Sequence, residues 1–154
     1  MHRNTLQQRT KQFHIDVIKL CETLPRSAAG FEIAKQVIRS AGSVGANYRA
    51  SARAKSKADF INKIQILIEE ADETHYWLEI IDATNLSTST NLKTLITEAN
   101  ELTAIFAATN KTVKSNHTSY IIHHPYYVFT EKKQNPQTIT CHQEPCSRNH
   151  IDSE

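Results

Sequence analysis

The stretch FINKIQILIEEADETHYWLEII, residues 60–81, decides how this chain is read. In it Phe60, Ile64, Leu67, Ala71, Thr74, Leu78 and Ile81 follow one another at alternating steps of four and three, the spacing that keeps side chains on one face of an α-helix. A seam that long and unbroken is what a helix presents to the other helices of a bundle. Ile61, Ile68 and Trp77 add a second apolar strip beside it, wider than one partner helix requires. Just upstream, Ser56-Lys57-Ala58-Asp59 sets a serine three residues ahead of an acid, a variant of the capping box that starts a helix.

The same signals extend outward in both directions. The 154 residues include three glycines and four prolines, and residues 46–124 contain neither type. A sheet needs turns every few residues, and its turns draw on these two types, so the long gap predicts helix. Upstream, Ala34, Val37, Ile38, Ala41, Val44, Gly45 and Tyr48 mark a helix beginning near Phe31, and its middle is built of small residues, Ser40 to Ala46. Two glycines in a helix interior cost roughly 1 kcal/mol each relative to alanine, which close packing has to offset. Before it, Leu6, Phe13, Val17, Leu20 and Leu24 form a first stripe that Pro25 stops, leaving residues 25–30 as a short connection between antiparallel neighbours. Downstream, the polar run 85–91 is a loop, and Leu92, Leu95, Ala99, Leu102, Phe106 and Val113 mark a fourth helix that fades near Lys114. The expected fold is all-α, an antiparallel up-down-up-down four-helix bundle over residues 1–115, followed by an irregular tail over 116–154. Within the tail the apolar, aromatic stretch 120–129 reads as an extended segment docked on the bundle or on a neighbour, and 130–154 as disordered.

Charge is informative only in its order. Eighteen Lys+Arg against 16 Asp+Glu give a net +2, a total that by itself argues against a nucleic-acid-binding tail. Yet residues 33–58 carry Lys35, Arg39, Arg49, Arg53, Lys55 and Lys57 and no acid, while residues 69–82 carry Glu69, Glu70, Asp72, Glu73, Glu79 and Asp82 and no Lys or Arg. One reading has these arms neutralise each other between adjacent helices or between subunits. The other is a phosphate-binding patch of Arg39, Arg49, Arg53, Lys55 and Lys57 with Tyr48 as a stacking surface, which would hold RNA or DNA with steep salt dependence. The two are compatible, and the same cations also suit an acidic protein partner.

Other chemistry finds little footing. A di-metal bundle needs two Glu-x-x-His motifs, and only Asp72-Glu73-Thr74-His75 comes close, with Asp in place of Glu and no second copy. Cys141, His142, Cys146 and His150 offer zinc-type ligands, but at a marginal spacing and without a framework. Gly42-Ser43-Val44-Gly45 matches the RNA-clamping loop of KH modules superficially, though it falls mid-helix without flanking strands. No phosphate-binding loop, nucleophile elbow or catalytic Cys/His pairing is present, so neither an enzyme nor a cofactor is expected. There is no run of some 18 apolar residues and no signal-like N-terminus, and the cysteine placement gives no disulfide framework, which together predict a cytoplasmic protein without a membrane segment.

The middle of the chain also carries a resemblance. IRSAGSVGANYRA at 38–50, RAKSKADFINK at 53–63 and EEADETHYWLE at 69–79 closely resemble the bacterial four helix bundle proteins, also called 23S rRNA intervening-sequence proteins. EANEL at 98–102 and KTVK at 111–114 resemble them too, so that the likeness covers roughly residues 6–115. It implies a cytoplasmic, non-enzymatic bundle that forms a homopentamer. A related accessory protein of diversity-generating retroelements has a similar pentameric bundle, binds nucleic acid and assists a reverse transcriptase. On this footing the partners are further copies of the chain, RNA or DNA, or a protein such as a polymerase subunit. Ile61, Ile68 and Trp77 then become candidates for a subunit interface, or for completing the bundle's own core. The tail resembles nothing associated with the family.

Overall fold

The computed structural model describes residues 3–115 as four helices: α1 at Arg3–Cys21, α2 at Ala28–Ser51, α3 at Lys57–Ala83 and α4 at Asn91–Ser115. The expectations for the segment 120–129, for 130–154 and for Cys141, His142, Cys146 and His150 fall outside the described residues. Backbone contacts run around the ring α1–α2–α3–α4 and back to α1, most extensive at α2–α3 and α3–α4 and thinnest at α1–α4. The described residues thus form an all-α antiparallel four-helix bundle.

The seam of α3 lies on the bundle axis. Ile64, Leu67, Ala71, Thr74, Leu78 and Ile81 are buried, and Phe60 packs against the same core from its edge. Phe13, Val17, Leu20 and Leu24 face them from the first stripe, Val37, Ala41 and Val44 from α2, and Leu92, Leu95, Ala99, Leu102 and Phe106 from α4. Val113 is only half-buried, and the buried position near the end of α4 is taken by Asn110, whose amide donates to Gln65 of α3 at 2.9 Å. That hydrogen bond replaces one to water for the buried amide nitrogen, while Asn110 Oδ1 is buried without a partner.

Both expected helix starts rest on serine caps, one of them displaced. At α3, Ser56 Oγ accepts the N–H of Asp59 at 3.1 Å, while the Asp59 carboxylate accepts the N–H of Lys55 at 2.8 Å. This is the reciprocal arrangement of a capping box, reaching one residue further back. At α2 the helix begins at Ala28 rather than near Phe31, because Ser27 caps it by accepting the N–H of Gly30 at 3.1 Å. Gly30 is therefore inside the first turn and not in the connection. A Cβ there would stand 2.1 Å from the Pro25 carbonyl oxygen, so the tight entry to α2 requires glycine. Upstream, α1 ends at Cys21, and tighter turns (Thr23 N–H to Leu20 O at 3.0 Å, Leu24 N–H to Cys21 O at 3.2 Å) carry Leu24 into the core before Pro25.

The small residues of α2 sit where its neighbours come closest. Ser40 and Thr74 are both fully buried, and Thr74 Oγ1 donates to Ser40 Oγ at 2.9 Å across the α2–α3 interface. On the other side, the imidazole of His14 lies so near Gly42 that a Cβ there would meet its Cε1 at 3.0 Å. Gly45 faces the carbonyl of Thr10, but an added Cβ would keep 3.7 Å, an ordinary contact. His14 is half-buried, with no partner on its buried Nε2, and burial holds its pKa below the usual histidine value.

Three outcomes are expected in urea denaturation. Gly45→Ala gains up to about 1 kcal/mol from helix propensity, since the methyl has room, whereas Gly30→Ala loses stability because the Pro25 carbonyl must move. For His14 the unfolded state takes up the proton first, so its contribution is complete above the ordinary histidine value of 6.5 and is lost as the pH falls below it. His14→Gln should remove that component of the acid dependence.

Candidate nucleic-acid interface

The α2–α3 register decides where the charged arms meet. Arg39 pairs with Glu73 at 2.7 Å, and Ser40 with Thr74 at 2.9 Å. Because the helices are antiparallel, each step forward on α2 is a step back on α3. The acidic run of α3 therefore lies beside the first half of α2, and residues 49–57 fall at the opposite end of the hairpin. Between Ala46 and Gln65 the one acid is Asp59. The N–H of Lys55, and after it the ammonium of Lys63 at 2.9 Å, hold the Asp59 carboxyl below its ordinary range.

Four of the expected cations gather there. Arg49 is exposed in the last turn of α2, where the helix dipole favours a positive charge. Arg53 and Lys55 are exposed in the short connection, and Lys57 is the first residue of α3, half-buried. Sequence reasoning missed two more. Lys93 of α4 pairs with Asp82 of α3, and Asn110 bonds to Gln65, so α4 runs antiparallel to α3 and the exposed Lys111 and Lys114 arrive at the same end of the bundle. Their signal lay in the up-down-up-down alternation, which sets the end of the fourth helix beside the start of the third.

Two expected members stand apart. Arg39 is about 15 Å along the helix axis from Arg49, paired with Glu73, which also accepts from Trp77 Nε1 at 3.3 Å. Tyr48 is half-buried, with its ring centroid 5.9 Å from that of Phe106, itself 1% exposed. Its ring contacts the core.

The candidate interface strip divides as well. Ile68 and Trp77 pack against the core from its edge, whereas Ile61 is half-buried outside that cluster near the cationic end. Tyr76, not singled out in the sequence, is 53% exposed, its ring edge-on to Trp77 at 5.1 Å.

Other reactive groups are held apart. His75 is half-buried with Nδ1 3.9 Å from Glu79, Asp72 is exposed, and among the described residues no three of His, Cys, Asp and Glu form a group able to hold a metal. Cys21 is buried, which pushes its thiol pKa up to about 12 and leaves it protonated. No described helix is long and apolar enough to cross a membrane.

The comparisons agree with this architecture. A protein of unknown function from the S23 ribosomal protein family of Bacteroides thetaiotaomicron has a crystal structure that superposes with a TM-score of 0.65 at 32% identity, covering 72% of this chain and 99% of that one. No curated protein matches the chain. Residues 2–108 match the family described as 23S rRNA-intervening sequence protein, and the chain belongs to that family.

Proposed function

We propose that the chain is a non-catalytic cytoplasmic bundle protein that binds RNA or DNA through its cationic end. The observation that carries this reading is the convergence of Arg49, Arg53, Lys55 and Lys57 with Lys111 and Lys114 where Asp59 is the one acid of the α2–α3 turn. Cations on three helix ends contact phosphates without reading bases, so the affinity is electrostatic and falls steeply with salt. The family's description names 23S rRNA, which makes RNA the first ligand to test. Arg39, already paired, has a secondary part.

A second reading, self-association, is favoured by the outward face of α3. Tyr76 is exposed there among Glu69, Asp72, Glu73 and Glu79, a surface opposite in sign to the cationic end. Copies joined head to tail through such surfaces close into a ring if the rotation allows, five being the number that the family resemblance implies.

Charge reversal of Arg49, Arg53 and Lys57 together should weaken RNA binding by more than about tenfold at low salt and reduce the salt slope by roughly three. Filter binding or fluorescence anisotropy over a salt series measures both, and an unchanged slope contradicts the assignment. For the second reading, light scattering should give a multiple of the 17.5 kDa chain mass, decreasing at high salt and with Tyr76→Glu; a monomer at every salt concentration refutes it.

A further inference from the structure

We infer that the cationic end takes double-stranded nucleic acid in preference to single strands and holds it by its phosphates. The inference rests on the nucleic-acid reading above and goes further by naming the class of ligand. Proteins that bind single strands combine a positive groove with aromatic rings on which successive bases stack, and stacking supplies much of their affinity. At this end of the bundle the rings are otherwise engaged. Tyr48 lies against Phe106, Phe106 is 1% exposed, and Phe60 packs against the core.

Among the described residues the exposed aromatic side chains lie elsewhere. Phe31 is 63% exposed in the first turn of α2, and Tyr76 is 53% exposed far along α3. At 1.5 Å per residue each is more than about 25 Å along its helix from the cations at the turn. What the cationic end offers is therefore charge on fixed positions. Arg49 and Arg53 lie one turn apart, Lys55 and Lys57 follow across the connection, and Lys111 and Lys114 stand on the adjoining helix end.

Such an array suits a duplex for two reasons. A duplex carries one phosphate charge per about 1.7 Å of axis, denser than a single strand, so each cation placed against it releases more counterion. It is also already rigid, whereas a single strand must be ordered against the array, and among the described residues no exposed ring stands beside the cations to offset the lost entropy by stacking. Nothing in this mode contacts base edges, so the preference is independent of sequence.

The test uses the full chain and fluorescence anisotropy with a 20-nucleotide RNA strand, its 20-base-pair duplex and the matching DNA pair. Duplexes should bind at least about fivefold more tightly at low salt with the steeper salt slope, and AT-rich and GC-rich duplexes should agree within about twofold. The variant Tyr120→Ala/Tyr126→Ala/Tyr127→Ala/Phe129→Ala should keep the same ratio, which makes the bundle the source of the preference. Single strands that bind as tightly as duplexes overturn the inference, and loss of that tight binding in the quadruple variant would assign stacking to residues 120–129. Absence of binding to every probe instead overturns the nucleic-acid reading itself.

Discussion

The close approach of α2 to both neighbours is the constraint on which the remaining structure depends. Where large side chains would hold the helices apart, α2 carries Ser40, Ala41, Gly42 and Gly45. Thr74 of α3 comes within hydrogen-bond distance of Ser40, and His14 and Thr10 of α1 lie at Gly42 and Gly45. The hydroxyls of Ser40 and Thr74 also reach the carbonyls of Gln36 and Glu70 one turn back, so burying them leaves neither unsatisfied. Their pairing and the steric fit at Gly42 select one register among those that the apolar stripes alone would allow. A close-packed interior does not slide by a fraction of a turn.

The α1–α4 interface is closed differently. The α1–α4 contact is the thinnest of the bundle, and Arg9 of α1 spans it, its fork on Glu98 at 2.6 Å for both bonds with a further contact to Glu101. Two parallel hydrogen bonds to a partly buried carboxylate are geometrically demanding and stronger than a loose surface pair. Those carboxylates, hydrogen bonds first, raise the Arg9 pKa further above an already high value, so the guanidinium stays charged at every accessible pH. The bundle thus closes three of its sides by close packing and adds an ion pair on the fourth, where contact runs short.

The elements most legible in the sequence are those whose signal is local. The α3 seam and the Ser56–Asp59 cap are periodic or adjacent in the chain, and both are present in the structure. The start of α2 lies ahead of the expected Phe31 because Ser27 caps the helix and Gly30, required by the nearness of the Pro25 carbonyl, falls within its first turn. Thr10 and Asn110 were hidden by their polarity on stripes judged by apolar residues, although their positions fit the spacing. Tyr48 continues the stripe Val37, Ala41, Val44 toward the core, and that place on the stripe, not the expected stacking surface, is the one the structure shows. Lys111 and Lys114 belong to the candidate site only through the packing of α4 on α3, information that no window along the chain contains.

The register also explains why a near-neutral chain can present a strongly positive surface. Glu69, the first acid of the run, is twelve residues beyond Lys57 on α3, about 18 Å along the axis. At physiological ionic strength the screening length is about 8 Å, so charges on an exposed surface at that distance scarcely influence each other. Cancellation in the total of 18 and 16 is therefore not cancellation in the field. Among the described residues, the acid that counts within a screening length of the α2–α3 turn is Asp59, and its charge is already engaged by the N–H of Lys55 and by Lys63. An approaching polyanion meets the remaining cations nearly as if the acidic half of α3 were absent. That local excess is set by the order of the charges and by the turn that folds them back.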